Sequence, residues 1–196
     1  MLFLTDFADL GLVLPLAGMV ALALAAVGRR RQALAWSLAV AGTLGAMLLL
    51  KVGVFALAGP HGVRGLGNPS GHTAAGVVVY AGLLALIAER FAPKVPVALV
   101  SGAAFAVVFG STRWALRYHS VPDVLVGGAV GLAGALALAV LAGPRRPPGG
   151  APSSASGSAA VAAAALLALL AFHGHKLNAE TELRWIAEEI RPDRRP

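Results

Sequence analysis

Long uncharged hydrophobic runs, separated by short polar stretches, dominate the chain. In chain order they cover residues 8–28, 33–57, 73–88, 95–111, 121–142 and 159–172. A transmembrane α-helix needs about 20 mostly apolar residues, within a range of ~17–25. The first five runs are therefore predicted to cross a membrane. The sixth is short and rich in alanine, so it either crosses or stops short.

The composition supports this interpretation, since 58% of the residues are hydrophobic and only 13% are charged. Such values lie far outside those of soluble globular domains. The chain is therefore predicted to be an all-α integral membrane bundle of about six transmembrane helices, with one transmembrane domain over residues 1–172. Small residues at four-residue spacing, Gly127, Gly131 and Ala135, predict close packing between helix backbones.

Two polar segments flank the sixth run. Residues 143–158 are rich in Pro, Gly and Ser, which is typical of a loop. The tail, residues 173–196, is polar, but Leu183, Ile186 and Ile190 fall on one face of a helix. This spacing favours an amphipathic interfacial helix, with a solvated helical tail as the alternative.

Lys and Arg residues between the runs indicate how the bundle is oriented, because cytoplasmic loops carry the excess of them. Alternate loops hold seven, at positions 29, 30, 31, 90, 94, 145 and 146. The opposite loops hold four, at positions 51, 64, 113 and 117, and also every candidate catalytic group. A site on the non-cytoplasmic face of a plasma or inner membrane is therefore predicted. The basic tail fits this orientation poorly and would lie inside if the sixth run did not cross.

Charge and residue types exclude several other classes of protein. The formal net charge of +7 is compatible with nucleic acid, but no basic run is interleaved with aromatic residues on a soluble face. No nucleic-acid partner is therefore expected. The chain has no cysteine, which excludes disulfides and Cys-ligated metals. His173 and His175 resemble a pair of ligands, yet without a nearby carboxylate cluster no metal site is predicted.

A turn followed by the start of a helix is predicted at residues 68–73. Pro69 and Gly71 favour the turn, and Ser70 can cap the helix that continues into the apolar run. The first amides of a helix point at one spot, and the helix dipole favours negative charge there. With His72 beside it, this turn predicts an anion site.

Polar residues gather again before the run at 121–142. Pro122 suits the first turn of a helix, so Asp123 falls where the helix dipole favours a carboxylate. His119 lies just before this turn. A carboxylate beside an imidazole can hold its Nδ1–H and leave Nε2 as a nucleophile or base. The pair is therefore a candidate catalytic unit.

Lys51 is predicted at the same membrane surface as these polar loops. A helix over residues 33–50 rises about 27 Å at ~1.5 Å per residue, which carries Lys51 from the basic end of the bundle to the opposite end. The alternative to a functional role is a lysine that snorkels to the lipid headgroups.

These residues resemble the motifs of the type 2 phosphatidic acid phosphatase family, which shares its site with vanadium haloperoxidases. The family motif Pro-Ser-Gly-His is complete at residues 69–72. A second motif has Ser-Arg, five residues, His, three residues and Asp. It is present, with threonine in place of serine, as Thr112, Arg113, His119 and Asp123. The resemblance covers the chain from about Lys51 to Gly134.

The remaining family motif, a lysine followed seven and eight residues later by arginine and proline, is incomplete. Lys51 is present, but Ala58 and Gly59 occupy the other two positions, and Pro60 comes one place late. Arg64, in the same loop, is predicted to supply the missing guanidinium, since a planar fork can reach a phosphate from several directions. The alternative is that Arg64 is only a loop charge.

The resemblance implies a mechanism for these residues. His119 would attack phosphorus and form a phosphohistidine, while Asp123 orients its ring. His72 would protonate the leaving oxygen and then activate water. The phosphate would be bound by Lys51, Arg113, Arg64 and the amides around Ser70 and Gly71. No metal or other cofactor is implied.

The resulting prediction is an integral membrane phosphatase that hydrolyses a lipid phosphomonoester or pyrophosphate, with the membrane and a lipid phosphate as its partners. A phosphotransferase that passes the same phosphoryl group to a lipid acceptor is one alternative. A noncatalytic lipid-binding or transport protein with an eroded site is another. The presence of both histidines, Arg113 and Asp123 argues against the last alternative.

Overall fold

The computed structural model describes residues 2–58, 67–143 and 153–177. All regular secondary structure in these residues is helical. The helices are α1 Leu2–Asp6, α2 Leu10–Ala26, α3 Arg30–Ala58, α4 Gly71–Ile87, α5 Lys94–Ala115, α6 Val121–Leu141 and α7 Ser153–Phe172, with a 3-10 turn Ala88–Arg90 after α4. The prediction of an all-α bundle is confirmed.

Within the described ranges, three helices are long and apolar enough to cross a membrane. They are Arg30–Phe55 of α3, α5 and α6. Three further helices are apolar but shorter, namely α2, α4 and Gly157–Phe172 of α7. Each hydrophobic run of the sequence therefore corresponds to an apolar helix. Length and composition support a membrane protein.

Polar residues determine where three of the helices begin. Asp9 caps α2 and Ser70 caps α4, each through a side-chain oxygen that accepts from a backbone N–H of the first turn. Ser120 and Asp123 form a reciprocal capping box at the start of α6, next to Pro122 in the first turn. These four capping residues lie at helix ends.

α4 lies at the centre of the bundle. Twelve of its 17 residues are buried, as expected for a helix that is apolar on all sides. α6 approaches it closely, because a Cβ at Gly131 would lie 2.6 Å from the carbonyl oxygen of Ala74. A Cβ at Gly127 would likewise overlap the carbonyl oxygen of Ser70. The small residues of α6 therefore allow the start of α4 to pack directly against α6.

We expect Gly127→Ala to lower the free energy of unfolding by about 1–3 kcal/mol, as added methylenes do in well-packed cores. The new Cβ would displace the Ser70 carbonyl and the turn before α4. Gly45→Ala in α3 is the matched control, since a Cβ there meets nothing within 4 Å. The measurement is the thermal unfolding midpoint in detergent. Equal shifts in the two variants would contradict the close approach.

The two ends of the bundle carry different side chains. At one end the buried Glu89 carboxylate forms ion pairs with Arg29 and with Lys94, whose Nζ lies 2.7 Å away. At the other end the chain before α4 meets α6, where the Ser70 N–H donates to the carbonyl of Asp123 over 3.0 Å. Both motif loops therefore lie at the end opposite the buried Glu89 network.

Candidate active site

The turn that begins α4 is rigidly held. The Ser70 side chain is fully buried, and its Oγ accepts from the Thr73 hydroxyl at 2.9 Å and from the Thr73 N–H at 3.4 Å. The Ser70 amide is itself used to join the turn to α6 through the Asp123 carbonyl. Ser70 therefore shapes the predicted anion site and fixes its distance from α6.

His119 is buried, with 6% of its surface exposed, in the short connection between α5 and α6. Its Nδ1 lies 2.7 Å from the backbone carbonyl oxygen of Asn68. Since a carbonyl oxygen only accepts hydrogen bonds, the ring carries its proton on Nδ1. In that tautomer the lone pair of the imidazole is on Nε2, the arrangement that a nucleophile or general base needs.

Asp123 organises the loop that carries this carbonyl. Its Oδ1 accepts from the Asn68 N–H at 2.9 Å, and its Oδ2 accepts from the N–H and hydroxyl of Ser120 at 3.0 and 2.7 Å. The carboxylate is 4% exposed. The sequence predicted that Asp123 would hold the His119 ring. In the structure the contact at Nδ1 is made by the Asn68 carbonyl, and Asp123 holds Asn68.

Asn68 is a site residue that the sequence analysis missed. Its side-chain oxygen accepts from Lys51 Nζ at 2.9 Å, while its two backbone groups meet Asp123 and His119. The sequence feature that could have identified Asn68 is its position directly before Pro69, because a following proline restricts a residue to extended backbone and turns. Asn68 thereby joins groups from α3, α6 and the α5–α6 connection.

Two buried cations approach the site from different helices. Lys51 of α3 is 6% exposed, and its Cε would lie 3.5 Å from a Cβ at Gly71, so its side chain covers the start of α4. Arg113, in the last turn of α5, is 8% exposed and stacks over the Tyr118 ring with its Cζ 4.5 Å from the centroid. Its Nη1 donates to the Thr5 hydroxyl at 3.2 Å. Arg113 is thus directed towards α1.

His72, in the first turn of α4, faces a carboxylate that the sequence analysis did not assign. Its Nε2 lies 3.4 Å from Oδ2 of Asp9, and 27% of the side chain is exposed. Oδ1 of Asp9 accepts from the N–H groups of Gly11 and Leu177, at 2.9 and 3.0 Å. Burial raises the pKa of Asp9, but His72 and these hydrogen bonds outweigh that effect, so its pKa lies below the usual value.

The structure brings together most of the residues predicted for the site. Lys51, His119 and Asp123 meet around Asn68, whereas His72 and Arg113 reach residues of the N-terminal segment.

Other predictions lie outside the described residues, namely Arg64, most of the loop at 143–158 and the interfacial helix of the tail. Within the described stretches, no group of three or more His, Asp or Glu side chains is arranged to hold a metal ion.

Two imidazoles, each beside an acceptor that fixes its ring, lie with buried Lys and Arg side chains at one end of an apolar bundle. Comparison with known families gives this framework a name, because the model of the PAP2 superfamily matches residues 51–147. Residues 51–147 of the chain belong to the PAP2 superfamily. The comparisons with curated proteins and with solved structures gave no match.

The match confirms the resemblance to type 2 phosphatidic acid phosphatases. It begins at Lys51 and contains both motif loops, so the PAP2 region of the chain includes His72, His119 and Asp123. Membership in the PAP2 superfamily indicates phosphatase-type activity on phosphate esters. Asp9, which faces His72, lies outside the matched region.

Proposed function

We propose that this PAP2 protein is an integral membrane phosphatase that hydrolyses a phosphomonoester or pyrophosphate on a lipid through a phosphohistidine intermediate. The observation that carries the proposal is the contact between Nδ1 of His119 and the Asn68 carbonyl. This contact sets the tautomer in which Nε2 can attack phosphorus. It also connects the two motif loops, which are far apart in sequence.

In the first step, Nε2 of His119 forms a bond to phosphorus as the bond from phosphorus to the leaving oxygen breaks. His72 gives a proton to that oxygen, so the lipid departs as a neutral alcohol, or as a lipid monophosphate when the substrate is a pyrophosphate. The phosphoryl group remains on His119. Protonation matters most for an alkoxide, which is a poor leaving group.

In the second step, a water oxygen attacks phosphorus and the bond from phosphorus to Nε2 breaks. His72, now neutral, takes a proton from that water. Inorganic phosphate leaves, and His119 returns to its starting form. Each histidine therefore ends the cycle in the state in which it began.

The cations of the site compensate the charge on the transferring group, which is the main requirement of phosphoryl transfer. Lys51 and Arg113 bind the nonbridging oxygens, together with Arg64 as the proposed replacement for the incomplete motif. Gly71 and the Ser70 turn contribute the positive end of the α4 dipole. Because the Ser70 amide already donates to Asp123, Ser70 acts chiefly by shaping this turn.

The arrangement of helices and charges supports a lipid substrate and a site on the outer face of the membrane. The site lies at one end of a bundle of apolar helices, so a lipid tail can stay in the bilayer while its headgroup reaches His119. The motif loops lie opposite the end that holds Arg29 and Lys94, and the excess of cations is cytoplasmic in multispanning proteins. We therefore place the site on the non-cytoplasmic face of a plasma or inner membrane, which the chain crosses about six times.

The test is the release of inorganic phosphate from labelled lipid phosphates by the purified protein in mixed micelles. The panel contains phosphatidic acid, phosphatidylglycerol phosphate, an isoprenyl pyrophosphate and a phosphorylated saccharolipid. We expect release from at least one of them. Label that appears on a second lipid instead of in inorganic phosphate would identify a phosphotransferase. If no lipid of the panel gives either release or transfer of phosphate, the proposal that this protein is an enzyme is contradicted.

A further inference from the structure

We infer that Asp9 is a positioning residue for His72, and that the two side chains act together as the proton donor to the leaving oxygen. The inference rests on the proposed phosphatase function and adds to it a residue from outside the matched PAP2 region. Its basis is the approach of Asp9 Oδ2 to His72 Nε2 at 3.4 Å.

The two oxygens of Asp9 have different partners. Oδ1 is anchored by two backbone N–H groups, one from Gly11 in α2 and one from Leu177 after α7. Oδ2 is the oxygen that faces His72. Because the anchored oxygen fixes the orientation of the carboxylate, Oδ2 is held towards the imidazole. Asp9 is only 6% exposed, so this orientation is protected from solvent.

In the contact between Asp9 and His72, the two ring nitrogens of His72 have separate roles. Nε2–H stays with Asp9, which provides a counter-ion for the imidazolium that must exist before proton donation. The proton on Nδ1 passes to the leaving oxygen as the bond from phosphorus to oxygen breaks. The neutral ring then takes the proton of the attacking water at Nδ1. His119 uses the opposite assignment, with Nδ1 held and Nε2 reactive.

The segments that hold Asp9 come from both ends of the described chain. Asp9 lies between α1 and α2, and the Leu177 N–H lies beyond α7. A second contact joins the same segments, since Lys176 Nζ lies 3.2 Å from Oδ1 of Asp6. Asp6 provides a matched control, because its carboxylate lies in the same N-terminal segment and pairs with Lys176 instead of with His72.

The experiment compares kcat/KM for two phosphate monoesters, because this constant reports the step in which the leaving group departs. One substrate is p-nitrophenyl phosphate, whose leaving group needs no proton, and the other is an alkyl lipid phosphate. For Asp9→Asn we expect kcat/KM to fall about 10- to 100-fold with the lipid and by less than about 3-fold with p-nitrophenyl phosphate, as part of the ~10²–10⁴ that general acid–base catalysis supplies.

Asp9→Asn is a mild change for the fold, since an asparagine oxygen can still accept from Gly11 and Leu177 and asparagine caps helices as well as aspartate does. Asp9→Glu should recover part of the lipid activity. Asp6→Asn should leave both rates near those of the wild type. Adding Asp9→Asn to His72→Ala should cause no further loss of kcat/KM, because the effects of substitutions in residues that act as one unit are not additive.

An equal loss with both substrates, or an additive loss in the double variant, would overturn the role of Asp9 while leaving the phosphatase proposal intact. A wild-type protein that hydrolyses neither monoester and releases phosphate from no lipid of the panel would overturn both. The thermal unfolding midpoint of each variant is measured alongside. If Asp9→Asn unfolds, the ratio of the two kcat/KM values in Asp9→Glu decides the question, and an unchanged ratio would count against the inference.

Discussion

Replacing His119 with alanine is expected to lower the rate of phosphate release by roughly 10⁴- to 10⁶-fold, the range seen when an enzyme loses its nucleophile. The variant lacks the nitrogen that forms the bond to phosphorus in the proposed mechanism. The protein should still fold, because the main-chain contacts of Asp123 to Asn68 and Ser120 remain.

Two measurements check this expectation. The first is the steady-state rate of phosphate release from the lipid that the wild-type protein uses best. The second is acid- and alkali-quenched labelling of the protein, since a phosphohistidine survives alkali and is lost in acid. Wild type should retain the label after the alkaline quench, and His119→Ala should carry none.

His175→Ala is the matched control for this experiment. It also removes an imidazole, but His175 lies beyond α7, where its side chain is exposed and contacts the ring of Phe172. We expect its rate to equal that of the wild type. Wild-type rates in His119→Ala would show that His119 is not the nucleophile and would refute the proposed route through phosphorylated His119.

Asp123→Ala is expected to lower kcat/KM by about 10³- to 10⁴-fold, comparable to the loss of the orienting carboxylate in a catalytic triad. In this protein the effect would pass through Asn68. Without Oδ1, the Asn68 N–H loses its acceptor, and the carbonyl that fixes the His119 ring can shift. Nε2 would then spend less time in line with phosphorus.

Asp123→Ala should also destabilise the protein. A buried donor left without an acceptor costs ~1–3 kcal/mol, and this substitution affects the part-buried N–H groups of Asn68 and Ser120. We therefore expect a loss of about 2–4 kcal/mol in the free energy of unfolding. Unfolding in mild denaturant, measured beside kcat/KM, separates the two effects.

Ser120→Ala isolates the smaller part of this network. It removes the hydroxyl that donates to Oδ2 of Asp123 but retains the Ser120 N–H and the bond to Asn68. Its kcat/KM should stay within about tenfold of the wild type, in keeping with the modest net worth of one hydrogen bond. A loss as large as that of Asp123→Ala would place the important contact at Ser120 and contradict the path through Asn68.

The sequence predicted the helices well because their signals are local. Each apolar run became a helix, and the residues that cap α4 and α6, Ser70 and Ser120, stand directly before those helices. The short helix α1 was not predicted, because it lies before the first run at 8–28. Asp9 caps the next helix, α2, and no proline or glycine lies between the two helices.

The motif residues were also predictable, since His72, His119 and Asp123 have fixed spacing within their loops. Their partners were harder to foresee. A backbone carbonyl such as that of Asn68 has no residue-type signal, and every position in the chain carries one. Asp9 and His72 lie in separate segments of the sequence, and no motif spacing relates the two positions. Arg64 and the interfacial tail helix remain predictions.

The hydrogen bond from His119 to the Asn68 carbonyl also affects how the site tolerates mutation. A side-chain partner can be deleted by one codon change, but the carbonyl of residue 68 persists whichever amino acid occupies that position. The tautomer of the nucleophile is therefore encoded in the path of the main chain. Drift in the gene can abolish it only by reshaping the turn, through positions such as Pro69, which restricts the backbone of Asn68, and Asp123, which holds the Asn68 N–H.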